Sequence, residues 1–372
     1  MGKAYIIVAS QDYERANHRG LWERLAKVSK EPVIVVNIPA DRVISVLRGK
    51  KDRIADAKKG PKQIVENLIV VRPLFFLRPE IAPKCFYKKL AKKFWNCIKK
   101  ACPDLDDREV RVLIYNAQWA QILTNTCKNM KLGYYLFDEV RYNGNDNSID
   151  KKRYAFDEYA CKNSDVIFTM TQKLTNSRKE YQDNIITIGN GAEIPALAGK
   201  PPEKIQNSVA FIGNFRDWID EELLEGLIKK RKDKWFVFVG PVEENMRKFF
   251  VRLLNENTNT FYYGLAQKAD MGTIYKMFDC VLIPYKNNEF IAATRPIKIV
   301  ESVLAGTPVV TIPMDGYKET SFIRFATDIE SFSTQIDAVS KEAICSDDMD
   351  YKQFLLENTW EAKAKIILER FN

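Results

Sequence analysis

The sequence predicts an α/β protein built as two doubly wound, Rossmann-like units. Three observations carry that expectation. Short, near-continuous apolar runs alternate with helical patterns along the chain, as in a parallel sheet covered on both faces. The alternation stops at residues 194–207, a Pro-rich stretch without periodicity, and then restarts. A chain of 372 residues also exceeds what one core of ordinary size needs.

The first unit opens on the apolar run 5–9, followed by a helical pattern over about 15–28 and a second run at 33–38. Runs at 68–71, 110–115, 133–137, 166–169 and 185–188 read as further strands, the last ending in Gly189-Asn-Gly191. The second unit repeats the scheme. Strands are expected at 209–212, 235–239, 260–263, 280–283 and 308–312, with helices over 221–230, 243–255, 269–278 and 297–305. Gly306 suits the residue just past a helix end. A helix over about 350–370 closes the chain. The expected division is 1–195 and 205–354, with a terminal helix at 355–372 returning to the first unit.

Composition excludes several chemistries. Seven scattered cysteines, odd in number and never in a C-x-x-C, argue against a disulfide framework and for a reducing compartment. With a single histidine, His18, neither an H-E-x-x-H site nor a His/Cys zinc cluster can be built. No G-x-S-x-G accompanies that histidine, so a serine hydrolase is disfavoured. No run approaches the roughly 20 apolar residues of a membrane span, and the N-terminus lacks a signal-peptide pattern.

The net charge of +9 is unevenly placed. Residues 1–100 hold 23 Lys and Arg against 9 Asp and Glu, a local +14, while the remainder holds 35 against 40. Such asymmetry suggests an anionic partner for the first unit. Its sharpest segment is 86–100. Phe86, Leu90, Phe94 and Ile98 recur at four-residue spacing with Trp95 beside them, and Lys89 and Lys93 are among the lysines opposite. This pattern fits a basic amphipathic helix lying on an anionic membrane surface, with Phe86, Lys89, Leu90, Lys93, Phe94 and Trp95 in contact. It also fits a helix packed on its own sheet with its lysines in water. The apolar run 74–77 reads as an exposed loop nearby.

Several motifs in sequence resemble those of GT-B-fold glycosyltransferases, above all their capsule, polysaccharide and teichuronic-acid-type members. Pro296-x-Lys298-x-x-Glu301, followed by Gly306-Thr-Pro-Val-Val310, is similar to their P-x-K-x-x-E…AG-x-PVV signature. Asp165–Thr169, Asn190–Glu193, Phe211–Gly213, Trp218–Asp220, Phe278–Pro284 and Asn358–Lys363 resemble further elements in matching order. The resemblance spans nearly the whole chain and is strongest over about 160–315. It implies two Rossmann-like domains facing a central cleft, with the terminal helix crossing back to the first. It also implies sugar transfer from a nucleotide-sugar, UDP rather than GDP, with no metal or other cofactor. The acceptor would be a lipid-linked saccharide at the cytoplasmic face of a bacterial membrane. Nucleic acid is not expected, because the aromatics near the lysines follow a burial stripe.

The resemblance assigns Glu301 to the ribose hydroxyls, and a carboxylate with two acceptor oxygens suits a vicinal diol. Lys298, one turn earlier on the same face, would meet the diphosphate with Arg295 and Thr294 at the helix start. Gly213 and Asn214 would border phosphate, Gly240 the base, and Tyr285 the donor sugar. Asp138, then Glu139, follow a strand and are the candidate general bases for the acceptor hydroxyl. Arg15, His18 and Arg19 are candidates for an acceptor phosphate. Ala293 stands where many retaining members carry a second glutamate, and Glu289 lies four residues further out, so the stereochemical outcome stays open. The alternatives are a nucleotide-sugar 2-epimerase of the same fold and a non-catalytic scaffold or nucleic-acid binder.

Overall fold

The computed structural model describes residues 2–43, 49, 51–127, 129–142, 148–193, 202–288, 291, 294–341 and 344–371. Ala293, Glu289 and the stretch 194–201 lie outside them. The chain divides into two compact units, Met1–Gly189 with Trp360–Asn372, and Asn190–Thr359.

The first unit is an eight-stranded sheet. Its order is Ile185–Thr187, Val166–Thr169, Met130–Leu136, Glu109–Ile114, Lys3–Val8, Val33–Val36, Leu68–Val71 and Lys62–Val65. All neighbours pair in parallel except the last, an antiparallel hairpin turned through Asn67 at φ +63°. The central strands are buried along nearly their whole length, as a doubly covered parallel sheet requires.

The second unit is a six-stranded parallel sheet, ordered Thr260–Gly264, Trp235–Val239, Ser208–Ile212, Cys280–Ile283, Val309–Thr311 and Ile323–Phe325. The order reverses between Ser208–Ile212 and Cys280–Ile283, so the carboxyl ends of these strands flank a topological switch point. Helix Glu221–Lys230 shows why its helices start where they do. The Asp220 carboxylate accepts from the Leu223 amide at 3.0 Å, Glu221 and Glu222 open the first turn, and Lys229 and Lys230 close the last.

Instead of one closing helix there are two, Met349–Glu357 and Trp360–Phe371. The break is at Asn358, whose side-chain amide donates to the Phe354 carbonyl at 2.9 Å and whose own carbonyl accepts from Ala192. The last helix belongs to the first unit and packs on helix Arg19–Ser29. Gly20 makes room for it: a Cβ there would meet the Trp360 ring at 2.3 Å. The Arg111 guanidinium donates to the Phe371 carbonyl at 2.8 Å.

Candidate functional site

Six sequence-predicted residues of the second unit converge around the carboxyl ends of its strands. Strand Ser208–Ile212 ends in Gly213 and strand Trp235–Val239 in Gly240. Gly213 has φ +137°, and a Cβ on it would sit 2.5 Å from the Lys298 ammonium. Gly240 has φ +126°, and a Cβ there would collide with the Gly213 carbonyl. Both positions need glycine for conformation and for close approach. Lys298 and Glu301 come from helix Ile297–Leu304, three residues apart and on one face. The Lys298 ammonium donates to the Tyr285 hydroxyl at 2.8 Å and lies 4.7 Å from the centre of the Phe211 ring. Arg295 donates to the Asn358 side-chain Oδ1 at 3.2 Å and stacks over Tyr317, while its Nε is buried without a hydrogen-bond partner among the described residues.

Glu301 accepts from the Tyr275 hydroxyl at 2.9 Å. Burial raises its pKa, and Tyr275, Lys268 and Lys298 act against that rise. The carboxylate is thus held by one neutral donor, with two ammonium groups in its field. Pro296 occupies the N-cap, so no side chain caps the first turn of the helix. Asn214 donates to Glu243 at 2.8 Å, and its amide oxygen is buried without a partner among the described residues. Two predicted contacts change character. The Thr294 hydroxyl donates to the Ile291 carbonyl at 2.8 Å, so its one proton closes a turn and is not offered to a phosphate. Tyr285 is buried against Trp218 and acts as the partner of Lys298. Sequence reasoning gave no site role to Tyr275 or Lys268, and placed Phe211 in a family-like motif without a role of its own. Tyr275 reads as an ordinary core residue of a helix, and no motif marks Lys268.

In the first unit, Asp138 is half-buried just beyond strand Met130–Leu136. Glu139 is not a general base. Both of its oxygens accept from the fully buried Arg178, at 2.6 and 2.7 Å, and both accept again from Arg141 at 3.0 Å. Burial opposes ionisation, but the arginines prevail and hold the carboxyl down at about 2. Arg178 also donates to Asp157 at 3.1 Å, and Asp157 accepts from Tyr134 at 2.9 Å. This buried network pins the chain on both sides of Asp138. Its long-range partners, 21 to 39 residues apart, leave no local sequence signal.

The remaining predicted residues of the first unit disperse. Arg15 is exposed. Arg19 is paired with Glu23 at 2.7 Å and stacked on Tyr13. His18 lies among the rings of Tyr115, Tyr135, Phe137 and Trp360, with centroids 5.3–5.9 Å away. The basic helix spans Tyr87–Ala101. Its apolar stripe is core: Leu90, Phe94 and Trp95 are buried, and Phe94 packs on Trp119 at 5.3 Å. Those three are therefore not membrane-contact side chains, because the stripe that would enter a bilayer already covers the sheet. Phe86, Lys89 and Lys93 are exposed. In the 74–77 run Phe75 is buried in a short parallel ladder with Ala40–Asp41, while Phe76 is 61% exposed. No helix among the described residues is long and apolar enough to cross a membrane, and none of them form a group of three potential His, Cys, Asp or Glu metal ligands.

Two α/β units built on mainly parallel sheets, one with glycines, a lysine and a glutamate gathered at a switch point, define a doubly wound class of architecture. The fold is that of the GT-B glycosyltransferases. TarM of S. aureus, solved as a point mutant in complex with fondaparinux, α-GlcNAc-glycerol and UDP, aligns with a TM-score of 0.65 and 13% identity, covering 100% of both chains. The lipopolysaccharide outer core galactosyltransferase WaaB aligns at 0.63 with 12% identity, over 100% of this chain and 99% of its own. In sequence, TuaH of Bacillus subtilis (strain 168), provisionally named a teichuronic acid biosynthesis glycosyltransferase, is 25% identical over 162 residues. That match covers 41% of this chain and 40% of TuaH. No protein-family model matches.

Proposed function

We propose that the protein transfers a sugar from a UDP-sugar to a saccharide acceptor in the biosynthesis of a surface polysaccharide. The observation that carries this reading is the constellation Gly213, Gly240, Lys298 and Glu301, with the Arg295 guanidinium beside it. Glu301 accepts from the two ribose hydroxyls. Lys298 and Arg295 face the diphosphate, and Gly213 lets the backbone approach it. UDP in the TarM structure and the name of TuaH support this choice of donor and product class.

Transfer breaks the bond between the anomeric carbon and the diphosphate oxygen and forms one to the acceptor oxygen. Negative charge grows on the leaving diphosphate, where two fixed cations stabilise it more than they stabilise the bound donor. Asp138 takes the acceptor proton in an inverting reaction, or binds the acceptor in a retaining one. The chemistry proceeds on these side chains without a metal. The acceptor is lipid-linked, and the exposed Phe86, Lys89 and Lys93, with Phe76, lie against the anionic inner face of the membrane.

The test is a thermal-shift panel with UDP, GDP, ADP, TDP and CMP. A nucleotide at ~100 times its dissociation constant adds about 2.7 kcal/mol, a shift of several degrees. A shift with UDP that is lost in Lys298→Ala supports the reading. No shift with any nucleotide at millimolar concentration refutes the donor site.

A further inference from the structure

Helix Tyr87–Ala101 has a second polar face, distinct from the one turned toward the proposed membrane contact. Lys88, Ala91, Lys92, Trp95, Asn96 and Lys99 fall at positions i, i+3, i+4, i+7, i+8 and i+11, a single strip. That strip forms one wall of a groove of about 630 Å³, closed opposite by Leu105, Asp106 and Arg108 and by Thr126, Cys127 and Asn129. Arg108 and Lys99 are fixed by carboxylates, Arg108 on Asp104 and Glu31 and Lys99 on Asp106. Lys88 and Lys92 pair with no carboxylate among the described residues. The groove thus offers two uncommitted ammonium groups, the side-chain amides of Asn96 and Asn129, and an apolar floor of Ala91, Leu105 and the edge of Trp95.

We infer that this groove binds an anionic saccharide chain. Cations meet its acidic groups, amides meet hydroxyls, and the apolar floor takes the face of a sugar ring. The concave shape does not suit a flat bilayer. The Trp95 ring is buried and its indole N–H is spent on Thr126 at 2.9 Å, so no face is presented for stacking a base. The groove lies at the amino ends of strands Glu109–Ile114 and Met130–Leu136, whereas Asp138 follows the carboxyl end of the latter. A strand of that length separates the two by about 20 Å. The groove is therefore an anchoring site for a chain several sugars long. An anchored chain has its reacting end held near at high effective concentration. The inference rests on the sugar-transfer reading for this purpose, whereas binding of the chain itself needs neither nucleotide nor turnover.

The experiment titrates a fluorescein-labelled sulfated pentasaccharide into the full chain, with neutral maltopentaose and phosphatidylglycerol vesicles as the other arms. Lys88→Glu/Lys92→Glu is compared with Lys89→Glu/Lys93→Glu, an identical charge change on the adjoining face, and melting curves confirm that both variants fold. The expected result is pentasaccharide binding that weakens about tenfold or more in the first pair and about twofold or less in the second. Maltopentaose does not bind. Equal loss in both pairs, no loss in either, or no binding to the unmodified chain overturns the inference. So does loss of vesicle binding alone in Lys88→Glu/Lys92→Glu, which would make the groove a lipid site.

Discussion

Glu301 and Glu139 are two glutamates in comparable settings with opposite fates. Each is largely sheltered from water, and each is a candidate for chemistry from its place in the sequence. Glu139 is surrounded by two arginines that occupy both oxygens and hold its pKa at about 2. Glu301 has a single tyrosine donor, and burial pushes its pKa up. A carboxylate whose lone pairs are filled by the protein is structural, and one held by a single neutral donor still has acceptor capacity for a ligand. The difference lies in what distant elements bring to the site, not in the position along a strand or helix.

The largest effect that would break this comparison is at Arg178. Arg178→Met leaves Glu139 to Arg141 alone and the buried Asp157 with only the neutral Tyr134 hydroxyl, at a cost of about 3–5 kcal/mol. For a unit of this size that lowers the melting temperature by about 10 °C, read by calorimetry. A change of a degree or two would mean that the network is not structural.

Next in size is acid sensitivity. Glu139 falls from an ordinary 4.5 to about 2 on folding. A depressed folded-state pKa contributes stability above the unfolded value, and that stability is lost as pH falls through the folded one. The linkage amounts to about 3 kcal/mol between pH 4.5 and 2. Asp157, raised by burial, responds in the opposite direction and offsets part of it. Denaturant melts from pH 6 to pH 3 therefore show a shallower decline in Glu139→Gln than in the unmodified chain.

Gly213→Ala sharpens the other side. Its Cβ would meet the Lys298 ammonium at 2.5 Å, at a backbone φ of +137°. The strain is about 1–3 kcal/mol, and displacement of Lys298 weakens UDP binding several-fold. Gly20→Ala, which presses on Trp360, is the smallest effect. It destabilises the first unit by about 1–3 kcal/mol through overpacking, and UDP affinity is unchanged.

The same contrast explains what was legible in the sequence. The parallel strands were, because Val33–Val36 or Cys280–Ile283 are continuous apolar runs whose periodicity needs no partner. The common face of Lys298 and Glu301 was, because a spacing of three residues on one helix fixes it. Helix Lys151–Asn163 was missed, since its apolar side chains do not gather into a stripe. The antiparallel strand Lys62–Val65 was missed because it is mostly exposed. The Leu90, Phe94 and Trp95 stripe has the same period whether it covers a sheet or enters a bilayer, and only the packing on Trp119 separates the two. The role of Glu139 depends on Arg178, 39 residues away.

The most direct test of the account measures UDP affinity and melting temperature on the same two variants, Glu301→Gln and Glu139→Gln. Loss of a charge-assisted hydrogen bond at Glu301 costs about 1.5–3 kcal/mol, so Glu301→Gln should bind UDP at least tenfold more weakly with little change in melting temperature. Glu139→Gln should melt several degrees lower and bind UDP as the unmodified chain does. If Glu301→Gln bound UDP within twofold of the unmodified chain, Glu301 would not be the ribose ligand, and the donor site drawn around it would be wrong.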